Sequence, residues 1–341
     1  MRKALVSGFD WNGTTPRGRY LLALLGFTVF SVIGSYVLER RDIPYWGEAV
    51  VIVVAAILLI PLVGLTIRRL HDAKLSGLWT WLTFVPGLNL ALLLALLLIS
   101  TRATYGRVPP SRLRSVGFML TALGAFVILT RLIWEPYVMP AGGMKPTLLV
   151  GDYAAGLRFA EDHGRGDVIV FRHPVTDRPH VARIVALGGE TIRLEAGTVI
   201  LNDTPYPAEP GGTFTETMAR QGRSGSLPRC SNGAVGFGAP CEKAAYLEQL
   251  PGTAPYRILD IADQRSDNTA SYTVPEGHVF VMGDNRDNST DSRTPSVLRG
   301  VGFVPLEAIE ARLSVVLFSY AGQSPLQFWT WRAGRYMQVI G

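Results

Sequence analysis

The sequence predicts an α-helical membrane domain followed by a mainly-β extracytoplasmic domain. Apolar residues make up 48 % of the 341-residue chain and charged residues only 18 %, and the long apolar runs crowd the part before Glu135. After Trp134 the pattern changes to short alternating runs separated by Gly, Pro, Asn and Asp, which is typical of β-strands and turns. The second half therefore has the pattern of an ordinary polar globular domain, whereas the first does not.

Four apolar runs predict helices in the first half. Each approaches the roughly 20 residues that a helix needs to span hydrocarbon. They are Tyr20–Leu38, Ala49–Ile67, Leu78–Ile99 and Val116–Trp134. The first is a full-length span without a small-residue cleavage site after it, so it is not expected to be a removable signal peptide. The domains predicted are a multi-helix membrane domain at 1–112, a transmembrane helix at 113–135, a β domain at 136–320 with an insertion at about 205–260, and a C-terminal tail at 321–341.

The Arg and Lys residues flanking these runs predict the orientation. Basic clusters precede the first run, separate the second from the third, and separate the third from the fourth. All three favour the cytoplasm, which conflicts with a single clean span at Leu78–Ile99. Either the Pro86-Gly87 break makes this segment a re-entrant hairpin, or one cluster lies outside. We favour the hairpin, which gives a multi-pass protein of the bacterial inner membrane with its β domain in the periplasm.

The two cysteines, Cys230 and Cys241, lie in a stretch rich in Gly, Ser and Pro. They are either two unrelated buried thiols or a disulfide, and we favour the disulfide because the stretch lacks much core of its own. Such a bond requires an oxidising compartment, here the periplasm. Two cysteines without nearby His or Asp at ligand spacing do not form a zinc cage, so no metal or cofactor is expected. The net charge of +6 comes with arginines between apolar runs and no nucleic-acid motif, so a nucleic-acid partner is not expected.

Six strands and a turn are predicted in the β half. Ala196-Gly197 has the composition of a hairpin turn. The polar, Gly/Pro-rich residues 205–260 are expected to form a surface insertion. The tail mixes aromatics with arginines from Phe328 to Tyr336, which suits either the membrane interface or a docked terminus. The strands are Val168–Phe171, Val181–Leu187, Thr191–Glu195, Thr198–Leu201, Val279–Met282 and Leu313–Phe318.

Two motifs of the membrane half are similar to a family of small bacterial inner-membrane proteins of unknown function. Arg17-Gly18-Arg19-Tyr20 opens the first helix, and Arg68-Arg69-Leu70-His71-Asp72, followed by Ser76-Gly77, lies between the second and third apolar runs. The resemblance covers roughly residues 10–107 and implies no activity. The box can also be read as a topology anchor, with its arginines at the lipid headgroups and Asp72 and His71 capping or pairing locally.

The β half resembles the type I signal peptidase family over about residues 116–340. Four boxes occur in the order that this family has, after an apolar segment that is predicted to span the membrane. The boxes are Pro140–Leu148 with Gly151-Asp152, Arg165–Pro174, Val181–Glu190, and Gly283–Arg293 followed by Gly302-Phe303-Val304-Pro305. The resemblance implies a signal-peptidase-like β fold, and the family's reaction is cleavage of signal peptides from exported preproteins.

The side chains that the family uses for chemistry are missing from these boxes. The family pairs a serine nucleophile with a lysine general base, because a serine hydroxyl needs a nearby proton acceptor. In this sequence the nucleophile position is Gly143, the base position is Ala182, and the position of the hydroxyl that helps bind the oxyanion is Ala141. Lys145, Thr147 and Ser289 are neighbours, but none is expected to replace the missing groups.

The bracing residues of the same boxes are retained. Asp291 and Arg293 are expected to form a bidentate pair, and Gly283 allows close backbone approach. Loss confined to the three chemical positions suggests selection for the fold without cleavage. The residues assigned to the site scaffold are Met144, Pro146, Asp152, Arg183, Gly283, Asp284, Asn285, Arg286, Ser289, Asp291 and Arg293.

Three functions follow from this pattern. The favoured one is a non-catalytic signal-peptidase-like protein that binds a preprotein signal peptide or another membrane protein through β-augmentation. The second is an active signal peptidase with non-standard catalytic residues. In the third, the membrane half acts in transport or lipid interaction. Membrane lipid is an expected partner in each case.

Overall fold

The structure is a computed structural model that describes residues 15–39, 45–73, 75, 79–80, 88–98, 122–124, 126–158 and 162–341. The chain divides into two compact units, Met1–Leu132 and Ile133–Gly341. The described part of the first unit is helical and the second is mainly β, so the predicted fold class is confirmed. The boundary between the units lies three residues before the end of the transmembrane helix predicted at 113–135.

The first unit contains the helices α1 (Arg17–Glu39), α2 (Tyr45–Asp72) and α3 (Leu88–Leu98), and residues 122–124 and 126–130 are also helical. By length and composition, two stretches can cross a membrane, Arg17–Tyr36 in α1 and Gly47–Asp72 in α2. Pro86-Gly87 lies outside the described residues, as do residues 116–121 and 125 of the fourth apolar run. The re-entrant hairpin therefore stays a prediction.

The Arg-Arg-Leu-His-Asp box lies at the end of α2, and Arg69 is buried there rather than exposed. Its guanidinium donates to the carboxylate of Asp72 at 3.0 Å and to the carbonyl oxygen of Leu96 in α3 at 2.8 Å. The carboxylate of Asp72 also accepts from the backbone N–H of Thr15 at 3.3 Å. The expected local pairing of Asp72 is present, but the expected placement at headgroups is wrong for Arg69. A buried guanidinium requires protein acceptors, and here it links the box to α3.

The second unit is built from three antiparallel sheets. An eight-stranded sheet has the order β1-β2-β14-β3-β4-β12-β13, with β15 paired to β14, and smaller sheets have the orders β10-β9-β8 and β11-β5-β6-β7. The strands are β1 (Trp134–Val138), β2 (Asp152–Leu157), β3 (Val168–Arg172), β4 (Pro179–Leu187), β5 (Thr191–Glu195), β6 (Thr198–Leu201), β7 (Thr204–Tyr206), β8 (Glu209–Thr217), β9 (Pro240–Glu248), β10 (Tyr256–Asp260), β11 (Tyr272–Thr273), β12 (His278–Met282), β13 (Val304–Pro305), β14 (Ile309–Ser319) and β15 (Gln338–Val339).

All six predicted strands are present, and Ala196-Gly197 turns between β5 and β6 with positive φ at both residues. The insertion is more ordered than its composition indicated, because it supplies the whole sheet of β8, β9 and β10. A register shift between Pro210 and Thr213 accommodates the Gly-Gly pair that reads as a loop in the sequence. The insertion also adds to the core of the unit, since Tyr256 and Ile258 of β10 are buried in the same apolar cluster as residues of β5 and β6.

A disulfide joins Cys230 to Cys241 across a sequence separation of 11 residues. Cys241 is buried in β9, and the backbone N–H of Ser231 donates to the carbonyl oxygen of Glu242 at 2.7 Å. The bond therefore fastens the loop between β8 and β9 to its own sheet.

Replacing both cysteines, Cys230→Ser with Cys241→Ser, should loosen this loop. Closing a loop of this length contributes about 3 kcal/mol by reducing the entropy of the open chain. We expect trypsin to cleave after Arg220, Arg223 and Arg229 at least tenfold faster in the variant, as followed by mass spectrometry. The wild-type protein treated with reductant is the matched control. Equal cleavage rates in all samples would contradict the prediction.

Candidate functional site

The first site segment is the loop between β1 and β2, which carries the box at Pro140–Leu148. Met144 and Leu148 are buried among the apolar residues of this part of the unit and anchor the loop. Between them and β1, Ala141 is exposed and Gly142 and Gly143 are half-buried. The peptide bond before Pro146 is cis. The loop thus presents its glycines at the surface while its apolar side chains hold it from below.

The second site segment, residues 283–293, follows β12 and is hydrogen-bonded to the first. Asn285 donates its backbone N–H to the carbonyl oxygen of Gly143 at 2.9 Å and its side-chain amide to that of Gly142 at 2.8 Å. A Cβ atom at Gly283 would collide with the Ser289 side chain and lie 2.6 Å from the Gly143 carbonyl oxygen. Gly283 is therefore required for the two loops to approach this closely.

A buried ion pair connects these loops to β4. Arg183 donates Nε and Nη2 to the two carboxylate oxygens of Asp284, both at 2.8 Å, and Nη1 to the carbonyl oxygen of Gly166 at 2.7 Å. Thr147 donates its hydroxyl to the same carboxylate. The guanidinium also stacks on the ring of Tyr256, 4.1 Å from its centroid. Thr147 is thus engaged as a brace of the site.

Two further arginines hold the second loop. Arg293 forms a bidentate pair with Asp291, with both N–O distances 2.9 Å, and Asp291 also accepts the backbone N–H of Gly283 at 3.1 Å. Arg286 donates to Glu248 of β9 at 2.5 Å. Charge-assisted pairs of this kind are stronger than neutral hydrogen bonds. The conformation of the second loop is therefore held by the Asp291–Arg293 pair inside the loop and by the bond from Arg286 to Glu248 of the insertion.

The positions that the sequence resemblance assigns to the nucleophile and the general base lie around Gly283. A Cβ atom at Gly143 would lie 3.7 Å from the hydroxyl oxygen of Ser289. The register of β4 and β12 pairs Arg183 with Met282, so Ala182 lies opposite Gly283. Ala182 is buried beside Ile184 and Val281. Among the described residues, the Ser289 hydroxyl has no hydrogen-bond partner. The fold therefore brings together positions 143, 182 and 289, although two of them lack functional groups.

The C-terminal tail is docked onto the first loop. Asp152 is fully buried and accepts from Arg335 at 2.6 Å and from the hydroxyl of Ser319 at 2.6 Å. Arg335 also donates to the carbonyl oxygen of Thr147 at 2.8 Å, and Arg332 donates to that of Val150 at 3.0 Å. Leu326, Phe328 and Trp329 nevertheless remain exposed on the same tail. The C-terminal tail is therefore a docked terminus, and its contact with the membrane interface stays a prediction.

Lys145 takes part in a buried charge cluster that the sequence did not indicate. Its ammonium donates to Glu216 of β8 at 2.5 Å and to the side-chain oxygen of Gln221 at 2.8 Å. Lys243 of β9 donates to the other carboxylate oxygen of Glu216 at 2.5 Å. Both lysine side chains are at most 3 % exposed. Two ammonium groups share one carboxylate, which leaves a net positive charge behind the glycine loop.

Burial dominates the electrostatics of this cluster. It lowers the pKa of Lys145 to about 8, against the attraction of Glu216, and the charges of Lys243 and Arg332 lower it further. Burial raises the pKa of Glu216, but the two lysines and the Gln221 hydrogen bond outweigh this, so the net shift is downward. At neutral pH Lys145 and Glu216 are therefore both charged.

Comparison with known proteins assigns the family. The model of the family described as signal peptidase, peptidase S26, matches residues 112–318. The chain belongs to this signal peptidase family. Signal peptidase I of Aquifex aeolicus is 31 % identical over 216 residues, covering 57 % of this chain and 80 % of that protein. Signal peptidase I of Rickettsia canadensis is 27 % identical over 253 residues, covering 65 % and 84 %. The crystal structure of a signal peptidase I from Enterococcus faecalis is 22 % identical, with a TM-score of 0.24, and covers 45 % of this chain and 98 % of that one.

The membrane half matches a second family. Residues 8–107 match the model of a family described as a protein of unknown function, DUF805. Both predicted resemblances are thus confirmed. Together with the two apolar spans, the signal-peptidase-like domain indicates a membrane-associated protein.

The cluster of Lys145, Glu216, Gln221 and Lys243 escaped sequence analysis because its members are far apart in the chain. Glu216 lies 71 residues from Lys145. Its strand alternates half-buried and exposed residues, so its polar side chains read as solvent-facing. The position of Lys145 next to the apolar Met144 was the one signal in the sequence for this cluster. A lysine that is buried beside apolar residues needs a hydrogen-bond acceptor in the protein.

The cluster predicts unequal losses of stability when its carboxylate or one of its lysines is removed. Glu216→Gln should destabilise the protein by about 3 kcal/mol or more, because it leaves two buried lysines without a carboxylate. Lys145→Met should cost far less, because it leaves the neutral Lys243–Glu216 pair. Thermal unfolding of the full chain in detergent at pH 7 measures both. Equal loss of stability in the two variants would contradict the charge balance.

The same cluster predicts a pH dependence. The pKa of Lys145 is lower in the folded chain than in the unfolded chain, so proton loss favours folding between about pH 8 and the unfolded value near 10.5. As pH rises through this window, the free energy of unfolding of the wild type should increase by up to about 3 kcal/mol relative to that of Lys145→Met. Unfolding of the two proteins compared at pH 7 and 10.5 tests this. If the difference in free energy of unfolding between the wild type and Lys145→Met is the same at both pH values, the pKa of Lys145 is not lowered by folding.

Proposed function

We propose that this chain is a non-catalytic member of the signal peptidase family that binds preprotein signal peptides at the site around Gly143. One observation carries the proposal. The braces of the site are present and mutually bonded, whereas the positions assigned to the nucleophile and the general base are Gly143 and Ala182. A binding function requires the shape of the site, and cleavage also requires the missing groups.

The absence of a substitute group supports the lack of cleavage. Thr147 donates its hydroxyl to Asp284, and the Lys145 ammonium is engaged by Glu216 and Gln221. Ser289 has a hydroxyl beside position 143, but no basic side chain is bonded to it in the part of the chain that the structure describes. A serine without a proton acceptor is a poor nucleophile. Removing a nucleophile or base from a serine peptidase lowers the rate by about a millionfold.

Peptide binding is supported by the form of the first loop. Gly142 and Gly143 are half-buried with their backbone at the surface, and no described residue accepts the N–H of Gly143. An extended peptide that carries small side chains can approach such a backbone and hydrogen-bond to it. The signal peptidases that resemble this chain suggest the ligand, an exported preprotein.

Restoring the missing pair should restore cleavage. Gly143 does not have a positive φ, and a Cβ atom there would have its nearest neighbour, the Asn288 carbonyl oxygen, at 3.4 Å. A serine therefore fits without strain. The apolar surroundings of Ala182 would favour the neutral amine of a lysine, the form that a base needs. The double variant Gly143→Ser with Ala182→Lys should convert a preprotein to its mature form, as followed by gel electrophoresis.

Matched variants make this test specific. Either single substitution, and Gly143→Ala with Ala182→Lys, should show no cleavage, because each lacks one member of the pair. The wild-type protein in detergent should also leave the preprotein intact. Specific cleavage by the wild type, abolished by changes near Gly143, would refute the non-catalytic function and favour an active peptidase with other residues.

The orientation of the β domain belongs to the same proposal. A site for exported preproteins and a disulfide both suit the periplasm. Proteinase K added outside intact spheroplasts should therefore digest the second unit, as detected with an antibody against it. Protection in spheroplasts and digestion only after lysis would place the domain in the cytoplasm and overturn this part of the proposal.

A further inference from the structure

The space in front of Gly143 is bounded but not filled by this residue. A Cβ atom there would lie 3.4 Å from the carbonyl oxygen of Asn288 and 3.7 Å from the hydroxyl oxygen of Ser289, which are ordinary contact distances. Because glycine has no side chain, this volume is open to an atom of a ligand. Ala141 and Ala182 add no functional group to the surroundings.

Two hydrogen-bond donors border this space. Neither the backbone N–H of Gly143 nor the hydroxyl of Ser289 has an acceptor among residues 126–158 and 162–341 or elsewhere in the described chain. A donor at a ligand site that has no protein acceptor favours a ligand oxygen. Two donors on neighbouring segments can serve two oxygens of one group.

The surplus charge behind the loop has the sign that attracts an anion. A Cβ atom at Gly142 would lie 3.1 Å from Cε of Lys145, so the lysine side chain passes directly behind the glycine backbone on its way to Glu216 and Gln221. Glu216 offsets only one of the charges of Lys145 and Lys243, and Arg332 is the other cation acting on Lys145. In a partly buried site with low dielectric, this charge acts more strongly than it would in water.

From these features we infer that the site prefers a peptide that ends in a free carboxylate, such as a signal peptide already released from its preprotein. The inference rests on the proposed function. A terminal carboxylate supplies two oxygens and one negative charge, which match two donors and one surplus positive charge. A continuous chain offers one neutral carbonyl oxygen at the same place. The glycine at position 143 gives the second oxygen the room that a larger side chain would occupy.

The test compares three fluorescent peptides with one signal-peptide sequence. The first ends in a free carboxylate, the second in a carboxamide, and the third continues for several residues of the mature protein. Anisotropy with the full chain in detergent at pH 7 gives the three dissociation constants. The carboxylate peptide should bind at least about tenfold more tightly than the other two, the range expected of one charge-assisted contact.

Variants identify the source of the preference. Lys145→Met removes the surplus charge and Ser289→Ala removes one donor, and each should reduce the ratio of carboxylate to carboxamide affinity several-fold. Arg193→Met removes a half-buried cation of β5 that pairs with Glu195 and Asp203 and is the matched control, so it should leave the ratio unchanged. Thermal unfolding shows that each variant is folded. If Lys145→Met fails to fold, Ser289→Ala still decides the role of the site.

The outcomes separate the inference from the proposed function. Equal affinity for all three peptides, or tighter binding of the extended one, would overturn the carboxylate preference and leave signal-peptide binding intact. A preference that Lys145→Met and Ser289→Ala do not alter would place the carboxylate elsewhere and overturn the inference. Failure of every peptide to bind would overturn both.

Discussion

The site depends on one buried carboxylate, that of Asp284. Arg183 of β4 binds both its oxygens, and the hydroxyl of Thr147 in the first loop binds one of them. The backbone oxygen of Asp284 also accepts the N–H of Leu259 in β10. Because a buried charge without its partner costs several kcal/mol, these segments are held in one arrangement. Asn285, the next residue, then reaches the carbonyl oxygens of Gly142 and Gly143.

This arrangement does not depend on a side chain at position 143 or 182. The brace uses only the backbone carbonyl oxygen of Gly143, and the Ala182 side chain takes part in none of its hydrogen bonds, so the residue type at either position can change while the loops stay in place. A buried neutral lysine is itself a burden on stability, since burial opposes its charged form. Alanine at position 182 does not carry this cost. The braces have no such freedom, because loss of Arg183 or Asp291 would leave a charged partner buried. Chemistry and fold are separable in this site.

The sequence predicts contacts that are local or that follow strand periodicity. The pair of Asp291 and Arg293 is two residues apart, and the alternating pattern of β5 and β6 determines their hairpin. Contacts between distant polar residues were missed, such as Asp152 with Arg335, 183 residues apart. Such pairs have no periodic signal, because each member alone has the pattern of an ordinary surface charge. The strands of the predicted surface insertion were missed for the same reason, since its buried residues Tyr256 and Ile258 pack with residues of β5 and β6.

The charge cluster behind the glycine loop exceeds what bracing requires. One lysine would suffice to neutralise Glu216 and fasten β8, and Lys243 already does so from the adjacent strand. The additional ammonium of Lys145 is buried at a cost, which its lowered pKa expresses. Lys145 joins the first loop to Glu216 and Gln221 of the insertion, and its charge adds to the one that Lys243 already supplies to Glu216. In the carboxylate preference inferred above, this second ammonium attracts the negative charge of the ligand, while the N–H of Gly143 and the hydroxyl of Ser289 supply the hydrogen bonds.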